Sequence, residues 1–454
     1  MQETLKVKPV LAYVTSSRRE ETSWRPWGGI QNESQAEEEA ERIKRELSSL
    51  KPDFGLEFLP LSMVRNAEDA SEALKEQADV RLIYAATDNT QLMRLLTSGK
   101  PWNLIFIRHR SGPLYAYYEF VHPFLIRGWT DKPVKGGVGF EDIVVDDYDE
   151  LLKKLRALSA LKSTKGKKVV LVGGPSKLFH GEVAAARAKE IWDLELIHVP
   201  YEPDLADRIK KKRMDEDALK RAEKKAADYL ARANVKSYVR NDFVVNSFLL
   251  YEVFEDLMEE NGAEAIAINE CMTTIIPLAK TTACLPLSMI NDEGKVAVCE
   301  GDVVTLPAYL LLHAISQKPV FLNDPTFPHH GIVTIAHCTS PTTLNGKKPE
   351  NVQLVTHYES DYGAAPKVLF ERGQEVTVLD AAFEENTWVA FKAKTGGSTS
   401  YPTCRTQTDL EIEGDWKKLL NNMRGFHWVM AYGDYLDELE YALGKVGIEL
   451  IRIR

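Results

Sequence analysis

The sequence predicts an α/β protein in which two doubly wound α/β domains with parallel sheets precede a mainly antiparallel, barrel-like β domain. Up to about residue 327, short apolar runs alternate with helix-length segments, which is typical of parallel sheets covered by helices. Beyond Pro328, short alternating segments are separated by Gly, Pro and Asn turns, which indicates antiparallel strands. We therefore divide the chain into residues 1–165, 166–327 and 328–454.

The composition excludes several classes of function. The chain has 454 residues, 44% of them hydrophobic and 27% charged, with a net charge of -10. An acidic balance argues against a nucleic-acid or anionic-membrane surface, which needs a basic footprint. The five cysteines form no CxxC pair and favour a reducing compartment. Neither a signal peptide nor an apolar run of about 18 residues is found, so we expect a cytoplasmic protein without a membrane span.

The first domain opens with a buried strand, Pro9 to Val14, and a loop rich in Arg and Trp. Arg18 in that loop is a candidate substrate-binding residue. Two later loops, residues 85–90 and 108–112, also follow strands and are expected at the ligand edge of the sheet. The alternative interpretation of these loops is helix capping by Asp88 or Ser111.

The second domain begins after a linker near residue 165. Gly173-Gly-Pro-Ser176 lacks the glycine spacing and the Gly-Lys-Ser/Thr ending of a phosphate loop, so we predict a tight strand-to-helix turn. A long charged helix is predicted from Leu205 to Ala233. A later strand ends in two candidate substrate-binding residues, Asn269 and Glu270.

Two strand-end acids form the centre of the predicted site. Val296 to Val298 is followed by Glu300, and a helix-length segment separates it from a second apolar run that ends in Asp324. Neighbouring parallel strands would place both carboxylates at one sheet edge, where they hold a divalent cation or divide acid and base roles. The alternative is structural: Glu300 caps the following helix and Asp324 opens a turn.

Histidines are concentrated near these acids in the sequence. Six of the ten lie between His313 and His427, among them His337 and His357. Imidazole and carboxylate together are a frequent ligand set for divalent metals. The spacing matches neither a zinc helix of the His-Glu-x-x-His type nor a zinc ribbon, so the residues alone predict an open, oxygen-rich site with one or two histidines, suited to Mn²⁺ or Mg²⁺.

Four segments resemble the L-fucose isomerase family, whose fold L-arabinose isomerases share. They are residues 291–302 (NDEGKVAVCEGD), 335–341 (IAHCTSP), 356–360 (THYES) and 427–434 (HWVMAYGD). The resemblance runs from about residue 165 to the end. It implies Mn²⁺ bound by Glu300, Asp324 and His427, with Glu300 and Asp324 also acting as the acid/base pair. It further implies three domains and a ring-like homo-oligomer, a trimer or hexamer, whose N-terminal domains close neighbouring sites.

The implied function is a metal-dependent aldose–ketose isomerase that acts on an open-chain sugar through a cis-enediol. Mg²⁺ and Co²⁺ are alternative cofactors. His337, His357 and Trp428 join Arg18, Asn269 and Glu270 as candidate substrate-binding residues. The alternatives are a non-catalytic sugar-binding member of the fold and a metal-dependent hydrolase or aldolase acting on a polyol.

The N-terminal arginines suggest an anionic substrate. Arginine is well matched to sulfonate, carboxylate and phosphate groups. We hypothesise that such a group meets the five arginines of the loops after the first strand and after Ile107: Arg18, Arg19, Arg25, Arg108 and Arg110.

Overall fold

The computed structural model describes residues 3–86, 89–99, 101–116, 122, 138–382 and 384–454. Contacts within the chain divide it into two compact units, Met1–Lys162 and Ser163–Arg454. The predicted boundary at residue 165 falls close to this division. The predicted division at residue 327 lies inside the second unit and stays a prediction.

The first unit is built on a parallel sheet in the order β2-β1-β4-β5-β6, with β3 also paired to β1. The strands are β1 (Leu5–Ala12), β2 (Leu56–Phe58), β3 (Ser62–Val64), β4 (Val80–Ala85), β5 (Trp102–Ile107) and β6 (Ile143–Val145). The helices are α1 (Glu33–Ser49), α2 (Ala67–Ala73), α3 (Thr90–Leu96) and α4 (Tyr148–Thr164). The central strands are apolar on both faces, and the predicted doubly wound domain is confirmed.

The two loops that allowed a helix-capping interpretation differ from that expectation. Asp88 lies outside the described residues, and α3 is capped by Asn89, whose side chain accepts a hydrogen bond from the Leu92 amide at 3.0 Å. Ser111 caps none of the described helices: its hydroxyl donates to Asp146, the residue after β6. Ser111 therefore ties one loop of the sheet edge to the next.

The second unit begins with a parallel sheet in the order β11-β10-β7-β8. Its strands are β7 (Lys168–Val172), β8 (Glu195–Val199), β10 (Ala265–Ile268) and β11 (Val296–Val298). The turn after β7 is tight, as predicted, with positive φ at Gly173 and Gly174. The helices of this part are α5 (Gly181–Trp192), α6 (Ala206–Met214), α7 (Glu216–Leu230), α8 (Asn241–Glu260), α9 (Ile276–Ala279), α10 (Cys284–Asp292) and α11 (Leu306–Ser316).

The prediction of a single helix from Leu205 to Ala233 is wrong. It is divided into α6 and α7 at Asp215, whose carboxylate accepts from the amides of Asp217 and Ala218. A side chain that satisfies the first amides of a new helix favours a helix start at that point. Charged residues flank Asp215 on both sides, so the composition of the segment does not reveal the break.

A closed antiparallel barrel follows. Its strands are β12 (Phe321–Pro325), β13 (Ile332–His337), β16 (Glu375–Asp380), β17 (Thr387–Ser398), β18 (Thr406–Glu413) and β19 (Trp428–Tyr432). They pair in the order β16-β19-β12-β13-β18-β17, and pairing of β16 with β17 closes the ring. The predicted barrel-like domain is thereby confirmed. Its strand β18 was not predicted, because Thr, Asp and Glu residues give that segment little apolar signal.

Four further strands and two helices belong to the second unit. The strand β20 (Glu449–Arg452) pairs in parallel with β17. A small sheet joins β14 (Asn351–Val355) and β15 (Ala365–Leu369) to β9 (Val235–Ser237). The helices are α12 (Trp416–Asn422) and α13 (Leu436–Lys445). Because β9 precedes the barrel in sequence, this small sheet links the α/β part of the unit to its β part.

Within the described ranges, no single helix has both the length and the hydropathy of a membrane span. The segments Cys271–Ala279 and Cys284–Asp292 meet these criteria only as a pair, bent by 93° between them.

Candidate metal centre

Glu300 lies just beyond the end of β11, in a backbone conformation that is unusual for its residue type. Its φ is +59°, and Gly301 also has a φ of +59°. The Gly301 amide donates to the Ile268 carbonyl at 2.9 Å, and its carbonyl accepts from the Ser176 amide at 3.0 Å. A non-glycine residue held at positive φ costs free energy, and such residues concentrate at functional sites. The surrounding strand ends therefore fix Glu300 in a conformation it would not adopt freely.

His427 lies immediately before β19 and is fully buried. Its Nδ1 is 2.8 Å from Asp302 Oδ2, and Asp302 also accepts from the amides of Val304 and Thr305. A carboxylate at Nδ1 leaves Nε2 as the free ring nitrogen, the arrangement commonly found at metal-binding histidines. Asp302 thus starts the turn before α11 and orients His427 at the same time.

Asp324 reaches the site by a different route from the one predicted. The expected placement, at the end of a parallel strand next to the Glu300 strand, is wrong. Asp324 belongs to β12, which pairs antiparallel with β13 and β19 inside the barrel. The chain crosses from the parallel sheet to the barrel after α11, yet Asp324 Oδ1 still lies 3.1 Å from His427 Nε2. Glu300 Oε2 lies 3.8 Å from the same nitrogen, so the two acids meet from different sheets.

His337 completes the group from the end of β13. It is 3% exposed, and its Nδ1 is 2.9 Å from the Thr339 hydroxyl. Its Nε2 lies 3.8 Å from Glu300 Oε1. His337 was predicted to bind substrate. In the structure, its Nε2 is one of the atoms available to a metal ion.

Three buried atoms that face one another at this site form no hydrogen bond with the described residues: His337 Nε2, His427 Nε2 and Asp324 Oδ1. The last two are 3.1 Å apart and form an ion pair only when His427 is protonated. Buried polar atoms without partners are costly unless something else satisfies them. One ligand atom each of Glu300, His337 and His427 lies within 4.8 Å of the other two. These three residues form a group that can hold a metal ion, and the donor set fits a divalent cation.

The electrostatics of His427 reflect its acidic surroundings. Burial alone would lower its pKa, but the contacts with Asp302 and Asp324 outweigh burial and raise the pKa to about 10. Burial would likewise raise the pKa of Asp302, and the contact with His427 instead holds it below the usual range. The clustered carboxylates therefore favour positive charge at His427, whether a proton or a bound cation supplies it.

Asn269 and Glu270 follow β10 at the same sheet edge. The Asn269 side chain accepts from the Glu270 amide at 2.8 Å, and Glu270 has a φ of +46° with an exposed side chain. A Cβ at Gly301 would come within 2.8 Å of the Asn269 Cβ, so these strand ends are in close contact. Both residues are therefore near Glu300 and remain candidates for binding substrate.

The other predicted site residues have different surroundings. Trp428 is fully buried in the barrel core, where it packs edge-to-face on Phe391; this position supports packing rather than substrate contact. His357 contacts Ser360 and Cys338; burial lowers its pKa, but the Cys338 contact more than offsets that and raises it. Arg18 is exposed in a loop of the first unit, and its role stays a prediction.

The hypothesis that Arg108 meets an anionic substrate is wrong. Arg108 is 1% exposed and forms ion pairs with Glu39 and Glu46, both on α1. A guanidinium that is already paired with two carboxylates is not available to a ligand. Arg18, Arg19, Arg25 and Arg110 are exposed on the loops, and the Arg25 guanidinium lies over the Trp24 ring.

Tyr201 was missed by the sequence analysis. Its hydroxyl is buried without a hydrogen-bond partner among the described residues, and its ring occupies the space that a side chain at Gly173 would need. Burial, followed by the nearby Cys271 and Glu270, raises its pKa. The useful signal in the sequence was the pair of glycines after β7, which marks a close approach of another group.

No family model matches the chain. The sulfoquinovose isomerase of Clostridium sp. (strain MSTE9) is similar to it, with 22% identity over 198 residues. The aligned region is 42% of this chain and 44% of that protein, so the chain matches less than half the length of its relative.

Proposed function

We propose that the protein is a metal-dependent aldose–ketose isomerase. The observation that carries the proposal is the group of buried, unpaired donor atoms on His337, His427 and Asp324 beside the Glu300 carboxylate. The similarity to a sugar isomerase supports the same assignment. A purely structural cluster would satisfy each of these atoms within the fold, whereas His337 Nε2 has no hydrogen bond to any described residue.

The proposed ligands of the cation are Glu300, His337 and His427, with Asp324 beside them. Two imidazoles and carboxylate oxygens suit Mn²⁺, which we propose as the cofactor, with Mg²⁺ and Co²⁺ as alternatives. When bound, such a cation acts as a Lewis acid that stabilises negative charge on the sugar oxygens.

The two carboxylates carry the proton transfers. One of Glu300 and Asp324 takes the C2 proton of the open-chain aldose and returns it to C1, while the other moves a proton between the hydroxyl and carbonyl oxygens. The intermediate is a cis-enediol. Asp302 keeps His427 oriented throughout, because its hydrogen bond to Nδ1 fixes the tautomer.

We propose that the substrate is an aldose with an anionic group. The name of the similar protein identifies its substrate as sulfoquinovose, a sulfonated sugar. The exposed arginines Arg18, Arg19 and Arg110 are suited to such a group. A homo-oligomer and a cytoplasmic location remain predictions from the sequence.

Tyr201, Asn269 and Glu270 are proposed to bind sugar hydroxyls. The Tyr201→Phe variant should raise KM by roughly 10-fold with a smaller effect on kcat, because the lost hydroxyl contacts the substrate rather than the reacting carbons. Steady-state kinetics with the best substrate of the panel described below measure this. An unchanged KM would remove Tyr201 from the binding site.

The test of the function combines metal analysis with a sugar panel. Protein stripped with a chelator should lose activity and regain it with Mn²⁺. Sulfoquinovose and neutral aldoses are then screened for ketose formation and for exchange of the C2 hydrogen in deuterated water. If no metal restores activity and no aldose exchanges its C2 hydrogen, the isomerase proposal fails. Equal turnover of charged and neutral sugars, unaffected by Arg18→Ala, would remove only the anionic substrate.

A further inference from the structure

Three of the five cysteines come together next to the candidate metal centre. Cys284 at the start of α10, Cys338 after β13 and Cys404 before β18 pack into one buried group with Ala365. The Cys338 side chain interacts with the thiols of Cys284 and Cys404 and with His357. The Arg405 amide also donates to Cys338 Sγ at 3.4 Å. Cysteines that are far apart in the sequence are thus assembled around one sulfur atom.

This cysteine group is directly linked to the metal-site residues. Cys338 follows His337 in the chain, and His337 pairs with Thr406 in the ladder between β13 and β18. Cys338 and Cys404 therefore extend from adjoining ends of two paired antiparallel strands. The Cys404 thiol also lies within the electrostatic reach of Asp324 and Glu300. A change in the Cys338–Cys404 contact would act on the strand end that carries His337.

The two neighbours of Cys338 differ in access and freedom. Cys284 is 3% exposed and is fixed at the first turn of α10. Cys404 is partly exposed and lies in a loop without regular structure. Forming a disulfide requires Cα atoms about 4.4–6.8 Å apart and aligned Cβ atoms, which a loop residue reaches with less distortion than a helix residue. Cys404 is therefore the better partner.

We propose that Cys338 and Cys404 are a site of reversible oxidation, where a disulfide displaces His337 from the candidate metal centre. In intracellular proteins, disulfides are usually transient and redox-sensing. The oxidant is a peroxide. One sulfur attacks a peroxide oxygen, the O–O bond breaks, hydroxide leaves and a sulfenic acid forms. The second sulfur attacks the first, the S–O bond breaks, water leaves and the S–S bond forms. Overall, two thiols and hydrogen peroxide give one disulfide and two waters.

The effect on the metal centre follows from the position of His337. The Thr339 hydroxyl holds the His337 ring through a contact with Nδ1. Cys338 lies between these two residues in the chain. Drawing Cys338 toward Cys404 moves this segment and misaligns His337 Nε2. Loss of one ligand's orientation lowers metal affinity by roughly 10- to 100-fold. The consequence for catalysis rests on the proposed function, whereas formation of the disulfide does not.

Peroxide treatment of the full-length protein tests the proposal. Non-reducing peptide mapping should show a Cys338–Cys404 crosslink and an intact mass lower by two hydrogen atoms, both reversed by dithiothreitol. Calorimetric titration with Mn²⁺ should show weaker binding to the oxidised protein. Cys404→Ser should bind Mn²⁺ normally and should not respond to peroxide. The matched control, Cys284→Ser, should respond as the wild type does.

Several results would overturn the proposal. These are the absence of a crosslink in excess peroxide, a crosslink between Cys284 and Cys338 instead, or zinc bound to the thiols in the purified protein. A Cys338–Cys404 crosslink with unchanged Mn²⁺ affinity would refute the displacement of His337. Formation of the crosslink with weakened Mn²⁺ binding, in a protein that isomerises no sugar, would refute the proposed function and leave the oxidation site intact.

Discussion

The two units of the chain each contain a parallel sheet, but buried ionisable groups near the carboxyl ends of its strands are treated in opposite ways. In the first unit, Arg108 follows β5 and is neutralised by Glu39 and Glu46. In the second unit, His337 and His427 each retain a buried ring nitrogen without a hydrogen-bond partner. A charge whose partners lie within the fold serves stability, whereas an unpaired donor is available to a ligand. Whether a buried ionisable group is paired within the fold therefore distinguishes a structural group from a candidate ligand-binding group. Residue type and position along the strand do not distinguish them.

The largest effect is expected in the second unit, at the candidate metal centre. Glu300→Gln keeps the shape of the side chain but removes its charge and its basicity. We expect turnover to fall on the order of 10³-fold, because general acid–base catalysis is lost. Thermal unfolding should change little, since the Glu300 side chain is 44% exposed. A variant with near-normal turnover would exclude Glu300 from its proposed role.

Glu39→Gln tests the first unit, where the buried charge is paired within the fold. Glu39 is 3% exposed and accepts from the Arg108 guanidinium and from the Tyr115 hydroxyl, the latter at 2.6 Å. Removing one partner of a buried charge pair should lower the free energy of unfolding by about 3 kcal/mol. Denaturant titration measures this loss. Metal affinity of the folded variant should be unchanged; weaker Mn²⁺ binding would show that the pair also serves the site.

Asp302→Asn sharpens the comparison inside the second unit. The Asn side chain can accept from the Thr305 amide with its oxygen, which turns its NH₂ group toward His427 Nδ1. That contact would make Nδ1 an acceptor and place the proton on Nε2, where it blocks metal binding. Mn²⁺ affinity should fall by roughly 10- to 100-fold in a calorimetric titration. If the affinity is retained, Asp302 acts only as the start of the turn before α11.

The smallest effect concerns a paired acid of the first unit. Asp146 is slightly desolvated, which raises its pKa, but hydrogen bonds from Ser111 and from the amides of residues 109–111 outweigh this and lower it to about 2. A lowered pKa gives stability that is present above the unfolded value near 3.9 and is lost as pH falls toward 2.

Asp146→Asn tests this linkage, because Asn also tolerates the φ of +58° found at this position. The wild type should be more stable than the variant by about 1 kcal/mol at pH 6, after allowance for solvent screening. The difference should shrink as pH falls through 2 and vanish below it, in a series of thermal unfolding curves. A difference independent of pH would show that charge on Asp146 is not its source.

The sequence predicted the architecture well where periodicity carried the signal. The strand–helix alternation and the alternating segments after Pro328 both rest on repeats of apolar residues, and both were confirmed. It failed where polar side chains decide the outcome. Asp215 divides one predicted helix, and β18 lacks an apolar pattern. The helix break depends on hydrogen bonds to a single side chain, and the polar strand β18 forms by pairing with strands distant in the sequence.

The site shows a similar division. Glu300 and Asp324 were predicted from strand-end spacing, and the resemblance added His427. The derivation of Asp324 from strand order was wrong because β12 belongs to the barrel. The contact of His427 with Asp302 joins residues 125 positions apart, which no local pattern reveals. Likewise, nothing in the spacing of the cysteines indicates that Cys284, Cys338 and Cys404 meet.

The place of β12 in the barrel limits where the gene can be cut to give a barrel fragment. A fragment starting at residue 328 would contain β13 and β19 but not the strand that pairs with both. The ring would open and expose two unpaired edges, which promotes aggregation. The same cut would separate Asp324 from His337 and His427. The barrel therefore cannot be exchanged between homologues as a cassette at that boundary, and recombination should preserve the segment from β11 through β13 as one block.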